Sequence, residues 1–160
     1  MRTILRLELT IGELPEVPAD LEIITFSANK HEDRWLKLNN QIFTHHPDQG
    51  GWQPEDLTNR MAETWFDPNG FFIATHISTH EDQWIGFVWT KIHHTLARTG
   101  PVGEIYVIGV DPDHAGQGLG RALLIKGLTH IKSLGINEAM LYVDADNERA
   151  LKMYRALGFN

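Results

Sequence analysis

Residues 104–128 constrain this chain more than any other stretch. EIYVIGV (104–110) is a β-branched and aromatic run, DPDHAGQGLG (111–120) carries a proline and three glycines, and Leu119, Ala122, Leu123, Ile125, Leu128 and Ile131 then recur at helical spacing. The pattern is a strand that passes through a tight turn into a helix. The first N–H groups of such a helix lack intrahelical partners and its dipole is positive at the turn, while Gly116, Gly118 and Gly120 keep side chains out of the way. An anionic group such as a pyrophosphate fits there. A glycine-rich turn alone equally suits a tight connection. Two phosphate-binding patterns are excluded by spacing: the Gly-Lys-Ser/Thr of a phosphate loop is missing, and Gly116-x-Gly118-x-Gly120 is not Gly-x-Gly-x-x-Gly.

The remaining chain predicts alternating elements. Residues 10–20 (TIGELPEVPAD) place two prolines and a glycine between apolar runs and read as a connector. A strand at 21–26 precedes a helix from His31 that stops before Pro47, and Pro54-Glu55-Asp56 opens a second helix ending near Phe66. Residues 70–76 and 84–93 predict an antiparallel hairpin around a polar turn. The helix after the glycine turn closes at Gly135, a strand follows at 139–143, and a last helix runs from Asn147 to a stop at Gly158.

Composition narrows the function classes. The 160 residues suit a single domain, and a formal charge of −7 without a basic run argues against nucleic acid. The absence of cysteine excludes thiol catalysis and thiolate metal sites. Adjacent strand residues such as His93 and His94 point to opposite faces, so they and the pair His45 and His46 do not predict a metal centre. No apolar stretch approaches the ~18 residues that span a bilayer, so no membrane partner is expected and the expected location is the cytoplasm.

V-D-P-D-H-A-G-Q-G-L-G (110–120) resembles the V-x-P-x-x-[QR]-x-x-G-x-[GA] motif of the GNAT (GCN5-related) N-acetyltransferases. N-E-R-A-L-K-M-Y-R-A-L-G-F (147–159) resembles that family's N-x-x-A-x-x-x-Y-x-x-x-G-F signature in order and spacing. One position departs: Ala115 stands where the family carries Gln or Arg, and Gln117 is the candidate to compensate. NNQIFTHHPDQGGW (39–52), WFDPNGFF (65–72), Trp89-Thr90-Lys91, Gly103-Glu104-Ile105-Tyr106 and LYVDADN (141–147) further resemble the C-terminal half of the mycothiol synthases, a branch with two tandem acetyltransferase-like domains.

The resemblance implies an α/β chain of the GNAT fold, with a mixed, mostly antiparallel sheet flanked by helices and its final strand missing. It divides the chain into residues 1–20, the tail and linker of a preceding GNAT-like domain, and 21–160, an acetyltransferase domain. The cofactor implied is acetyl-CoA and the acceptor is the amine of a small molecule, in that branch the cysteinyl amine of cysteinyl-glucosaminyl-inositol. Another small amine, a peptide N-terminus, or an acyl-CoA-binding pseudoenzyme are the alternatives.

Acetyl transfer to nitrogen needs a neutral amine, a polarised thioester and a donor for the departing thiolate. Glu104, on the strand before the turn, is placed to accept the amine proton directly or through water, and also to anchor substrate. Tyr154 matches the family tyrosine that faces the sulfur. Ile108, Gly109 and Val110 offer backbone groups to the pantetheine arm. Ala115, Gly116, Gln117, Gly118, Leu119, Gly120 and Arg121 form the pyrophosphate turn. The second motif adds Asn147, also a plain helix N-cap, with Glu148, Arg149, Ala150, Leu151 and Lys152. Asp48, Lys91 and Tyr142 resemble the branch's substrate contacts.

Overall fold

A computed structural model describes residues 1–76, 83–94 and 100–160. Its six strands form one sheet in the order β1 (Ile4–Thr10), β6 (Glu138–Asp144), β5 (Val102–Val110), β4 (Trp84–His93), β3 (Phe71–Thr75) and β2 (Glu22–Thr25). Neighbouring strands run antiparallel except β5 and β6. Helices α1 (Glu32–Ile42) and α2 (Pro54–Met61) cover one face, and α3 (Leu119–Ser133) and α4 (Glu148–Ala156) the other. This is the mixed, mostly antiparallel sheet expected. The polar turn expected between β3 and β4 lies outside the described residues.

The inner strands are apolar on both sides because both sides are covered. Phe72, Ala74, Ile85 and Val88 pack with Leu123, Leu124 and Leu128 of α3. Phe71, Ile73, Phe87 and Trp89 pack with Trp35 and Leu36 of α1 and with Leu57 of α2. Trp35 is fully buried and meets Trp52, Phe71, Phe87 and Trp89 edge-on, with ring centroids 5.2–5.6 Å apart. Such edge-to-face contacts add about 0.5–1.5 kcal/mol each beyond area burial, so α1 is fixed firmly over β3 and β4.

Two features depart from the expected outline. Helix α2 ends at Met61, short of Phe66, because Trp65 and Phe66 turn inward against Trp89. Residues 1–20 are also not set apart from the sheet. Strand β1 pairs with β6 from Ile4↔Asp144 to Thr10↔Glu138, and Leu7 and Ile11 are buried in the α3-side core. Asn160 extends the sheet beyond β1, exchanging two backbone hydrogen bonds of 3.0 Å with Glu8.

The feature that makes a site is the short ladder between β5 and β6. Its two pairs are Gly103↔Ala139 and Glu104↔Met140, whereas β5 stays paired with β4 as far as Val110. Beyond Glu104 the parallel strands part. The backbone of Ile108, Gly109 and Val110 is thus left without a β6 partner on that side.

Candidate active site

The turn after β5 follows from its residues. Asp111 accepts the backbone N–H of Asp113 (3.1 Å) and Pro112 starts a 3₁₀ turn, which brings the chain to Gly116 and Gly118. These two sit at φ +82° and +77°, in the left-handed region that costs other residues roughly 1–2 kcal/mol. Gly118 caps α3, and the first helical bond runs from Ala122 N–H to Gly118 C=O (3.1 Å). The N–H groups of Leu119, Gly120 and Arg121 precede that bond and face outward at the positive end of the dipole. Gly120 does something else: a Cβ there would stand 3.0 Å from Met153 Sδ, so this glycine lets α3 lie against α4.

A groove of about 480 Å³ opens where β5 and β6 part. Ile108, Gly109 and Val110 form its floor, and Ala115, Gly116, Gly118, Leu119, Gly120 and Arg121 close one end. Asn147, Arg149, Ala150 and Tyr154 wall it from the α4 side. Ala150 and Tyr154 share one face of α4 because they are four residues apart. Asn147 is also the N-cap, accepting from Ala150 N–H at 3.2 Å. Tyr154 is 6% exposed, and burial pushes its phenol up to about 12, which keeps it a hydrogen-bond donor across the physiological range. Ile42, Phe43, His114 and Met153 complete the walls; no motif carries them, and only the placement of α1 brings the first two to Gly109.

Four expected cofactor positions fall elsewhere. Gln117, offered as the replacement for the missing side chain at Ala115, lines a separate cavity of about 330 Å³ with Pro18, Leu21, Thr75 and Ile85. The turn between two left-handed glycines points it to the far wall. Leu151 is a core residue at 7% exposure, and Glu148 and Lys152 lie on the exposed side of α4.

The expected substrate positions gather on the sheet face opposite α3. Glu104, 6% exposed, sits at the closed end of the splay and stands directly across from Lys91. Lys91 does not pair with it. Its Nζ lies 4.7 Å from the Trp65 ring centroid and 5.4 Å from that of Tyr106, whose hydroxyl accepts from Arg60 Nε at 2.9 Å. The partner of Glu104 is His93, with Nε2 2.7 Å from Oε1. Tyr142, 57% exposed, is two residues beyond Met140, so it shares the Glu104 face. Asp48, in the loop after α1, is tied to that face through Arg2, whose Nη1 is 2.5 Å from Asp48 and whose Nε is 2.6 Å from Asp144. The Arg2 hydrogen bond holds the Asp144 carboxyl below its ordinary range. His46 Nε2 lies 3.6 Å from the same carboxylate. Among the described residues no three histidine or acidic side chains come together as a metal site.

The site joins a strand-turn-helix seat of outward-facing amides to a splay between the parallel strands β5 and β6. The profile of the Acetyltransferase (GNAT) family matches residues 33–159, and the chain belongs to that family. Curated relatives named mycothiol acetyltransferase include one from Thermobispora bispora, 47% identical over 91% of this chain and 48% of its own length. Another, from Thermomonospora curvata, is 45% identical over 97% of this chain and 50% of its own length. The chain therefore spans about half the length of the curated relatives it matches. A GCN5-related N-acetyltransferase from Sphaerobacter thermophilus superposes with a TM-score of 0.75 at 22% identity, covering 99% of this chain and 48% of that one. The ribosomal-protein-S18-alanine N-acetyltransferase of Escherichia coli gives 0.63 at 24% identity, with 88% and 77% covered. These two likenesses concern the fold. Among the described residues no helix is long and apolar enough to cross a membrane.

Proposed function

We propose that this chain transfers the acetyl group of acetyl-CoA to the primary amine of a small molecule, and that the acceptor is the cysteinyl amine of cysteinyl-glucosaminyl-inositol. The observation that carries the reading is the splay itself. It joins a floor of β5 backbone left without a β6 partner, the amide donors of the α3 turn and the Tyr154 hydroxyl in one groove, with a buried carboxylate at its closed end.

Acetyl-CoA supplies the thioester whose acyl group moves to nitrogen. The residues present fit it: the two left-handed glycines put no side chain at positions 116 and 118, and the α3 amides suit a pyrophosphate without help from a side chain at Ala115. Backbone at 108–110 binds an extended arm as a strand would. Arg149 and Arg121 at the mouth add positive charge toward phosphate. Glu104 accepts the amine proton, directly or through a water, and thereby supplies the neutral nucleophile. Tyr154 donates its O–H toward the sulfur as negative charge develops there. Asp48, Lys91 and Tyr142, on the face of Glu104, bind the acceptor's polyhydroxyl and ammonium groups. The acceptor is favoured by the mycothiol acetyltransferase relatives at about 45% identity. The same length relation supports a preceding GNAT-like domain in the full-length protein, and the family chemistry suits a cytoplasmic enzyme.

The experiment is an acceptor screen with acetyl-CoA, following released thiol, on this chain and on Glu104→Gln. Expected is turnover with cysteinyl-glucosaminyl-inositol above other small amines and peptide N-termini, and a kcat loss on the order of 10² to 10⁴ for Glu104→Gln, partly recovered at high pH. Preference for another amine would overturn the acceptor, and acetyl-CoA binding without thiol release from any amine would make the chain a binding module.

A further inference from the structure

We infer that His93 is the positioning residue of the proton-accepting carboxylate: its imidazole fixes the Glu104 side chain so that one carboxylate oxygen is held by Nε2 and the other is left for the acceptor amine. The inference rests on the reading of Glu104 as the base.

The geometry selects His93 over the more obvious cation. In the β4–β5 ladder Glu104 lies directly opposite Lys91, and His93 lies one step away, opposite Val102. Direct cross-strand pairs are closer than diagonal ones, so sequence register alone favours a Lys91–Glu104 ion pair. The structure reverses this. The Lys91 ammonium is drawn over the Trp65 and Tyr106 rings, leaving the carboxylate to His93 at 2.7 Å. The ladder is irregular here, with Trp89 opposite Val107 and Thr90 opposite Ile105, so Tyr106 is the extra residue of a bulge. Bulges re-aim neighbouring side chains. This one sets the Tyr106 ring under the Lys91 ammonium.

The chemistry fits a base. An ionised carboxylate only accepts, so Nε2 carries the hydrogen in this contact and donates it to Oε1. A short charge-assisted bond of this kind restricts a flexible glutamate to one orientation. An ammonium from Lys91 at the same place would hold the carboxylate in a full ion pair and oppose its protonation. An imidazole in its neutral form would orient the carboxylate without that penalty. His93 has 25% of its side chain exposed against 8% for Glu104, so the imidazole is the more accessible member of the pair.

The test measures kcat and KM for His93→Leu, His93→Gln, Glu104→Gln and the His93→Leu/Glu104→Gln pair, with acetyl-CoA affinity by calorimetry for each. Expected is a kcat loss of about 10- to 100-fold for His93→Leu, since a misplaced catalytic group costs up to about that much, with acetyl-CoA affinity kept. His93→Gln, which retains a donor at similar reach, should recover most of the loss. The double variant should be no slower than Glu104→Gln alone, because His93 acts only through the carboxylate. Equal losses for Leu and Gln, additive losses in the pair, or loss of acetyl-CoA affinity in His93→Leu would each overturn the inference. A slow Glu104→Gln with a fast His93→Leu would refute the role of His93 alone, whereas a Glu104→Gln with wild-type kcat would refute the base and its positioning together.

Discussion

At the scale of single residues, the groove sets what Tyr154 can do. Its phenol is pushed to about 12 and a thiol ordinarily titrates near 8.5, so complete proton transfer to a free thiolate would run uphill by roughly 3.5 units, about 5 kcal/mol. A hydrogen bond to developing charge is the role the burial favours. Tyr154→Phe should therefore lower kcat by about 10- to 100-fold, the worth of one charge-assisted hydrogen bond, while acetyl-CoA affinity stays close to that of the wild type. A loss above about 10³-fold would instead mark a full general acid. The same substitution has a stability signature. Folded Tyr154 keeps its proton above the ordinary value of about 10, so its contribution is intact below pH 10 and is lost as pH rises toward 12. Urea unfolding of Tyr154→Phe should lack that alkaline decline. Tyr154 and the glycine turn were legible because motif spacing encodes them. The Glu104–His93 contact was not, because it depends on a ladder irregularity and on where the Lys91 ammonium goes, neither of which local sequence states.

At the scale of elements, strand β5, its turn and α3 were the most legible part of the chain, since apolar period, proline and glycine all agree within 25 residues. The glycines of that unit differ in purpose, and substitution separates them. Gly118→Ala places a side chain at φ +77° and should cost about 1–2 kcal/mol in urea unfolding, although nothing crowds its Cβ. Gly120→Ala meets the far end of the flexible Met153 side chain at 3.0 Å and should cost less. The opposite order would place the strain of the turn in the wrong glycine. Helix α2 shows where local pattern fails: the apolar spacing continues to Phe66, but Trp65 packs 5.8 Å from Trp89 and 5.0 Å from Tyr106 between ring centroids. Tertiary packing of two large aromatics outweighs the few tenths of a kcal/mol per residue of helix propensity.

At the scale of the whole molecule, the site is a product of sheet order. Strand β6 gives its full length to β1 and only two pairs to β5, and that unequal division opens the groove. Register between strands far apart in sequence cannot be read from periodicity, so neither the splay nor the return of residues 4–10 to the sheet was visible in the sequence. Among the described residues two cavities flank the start of α3, and acetyl-CoA is proposed to occupy the one between β5 and β6. Amide hydrogen exchange with and without acetyl-CoA tests this directly. Expected is new protection at Gly118, Leu119, Gly120 and Arg121 and in residues 108–110. Protection confined to Leu21, Thr75 and His76, at the other cavity, with the α3 amides unchanged, would contradict it.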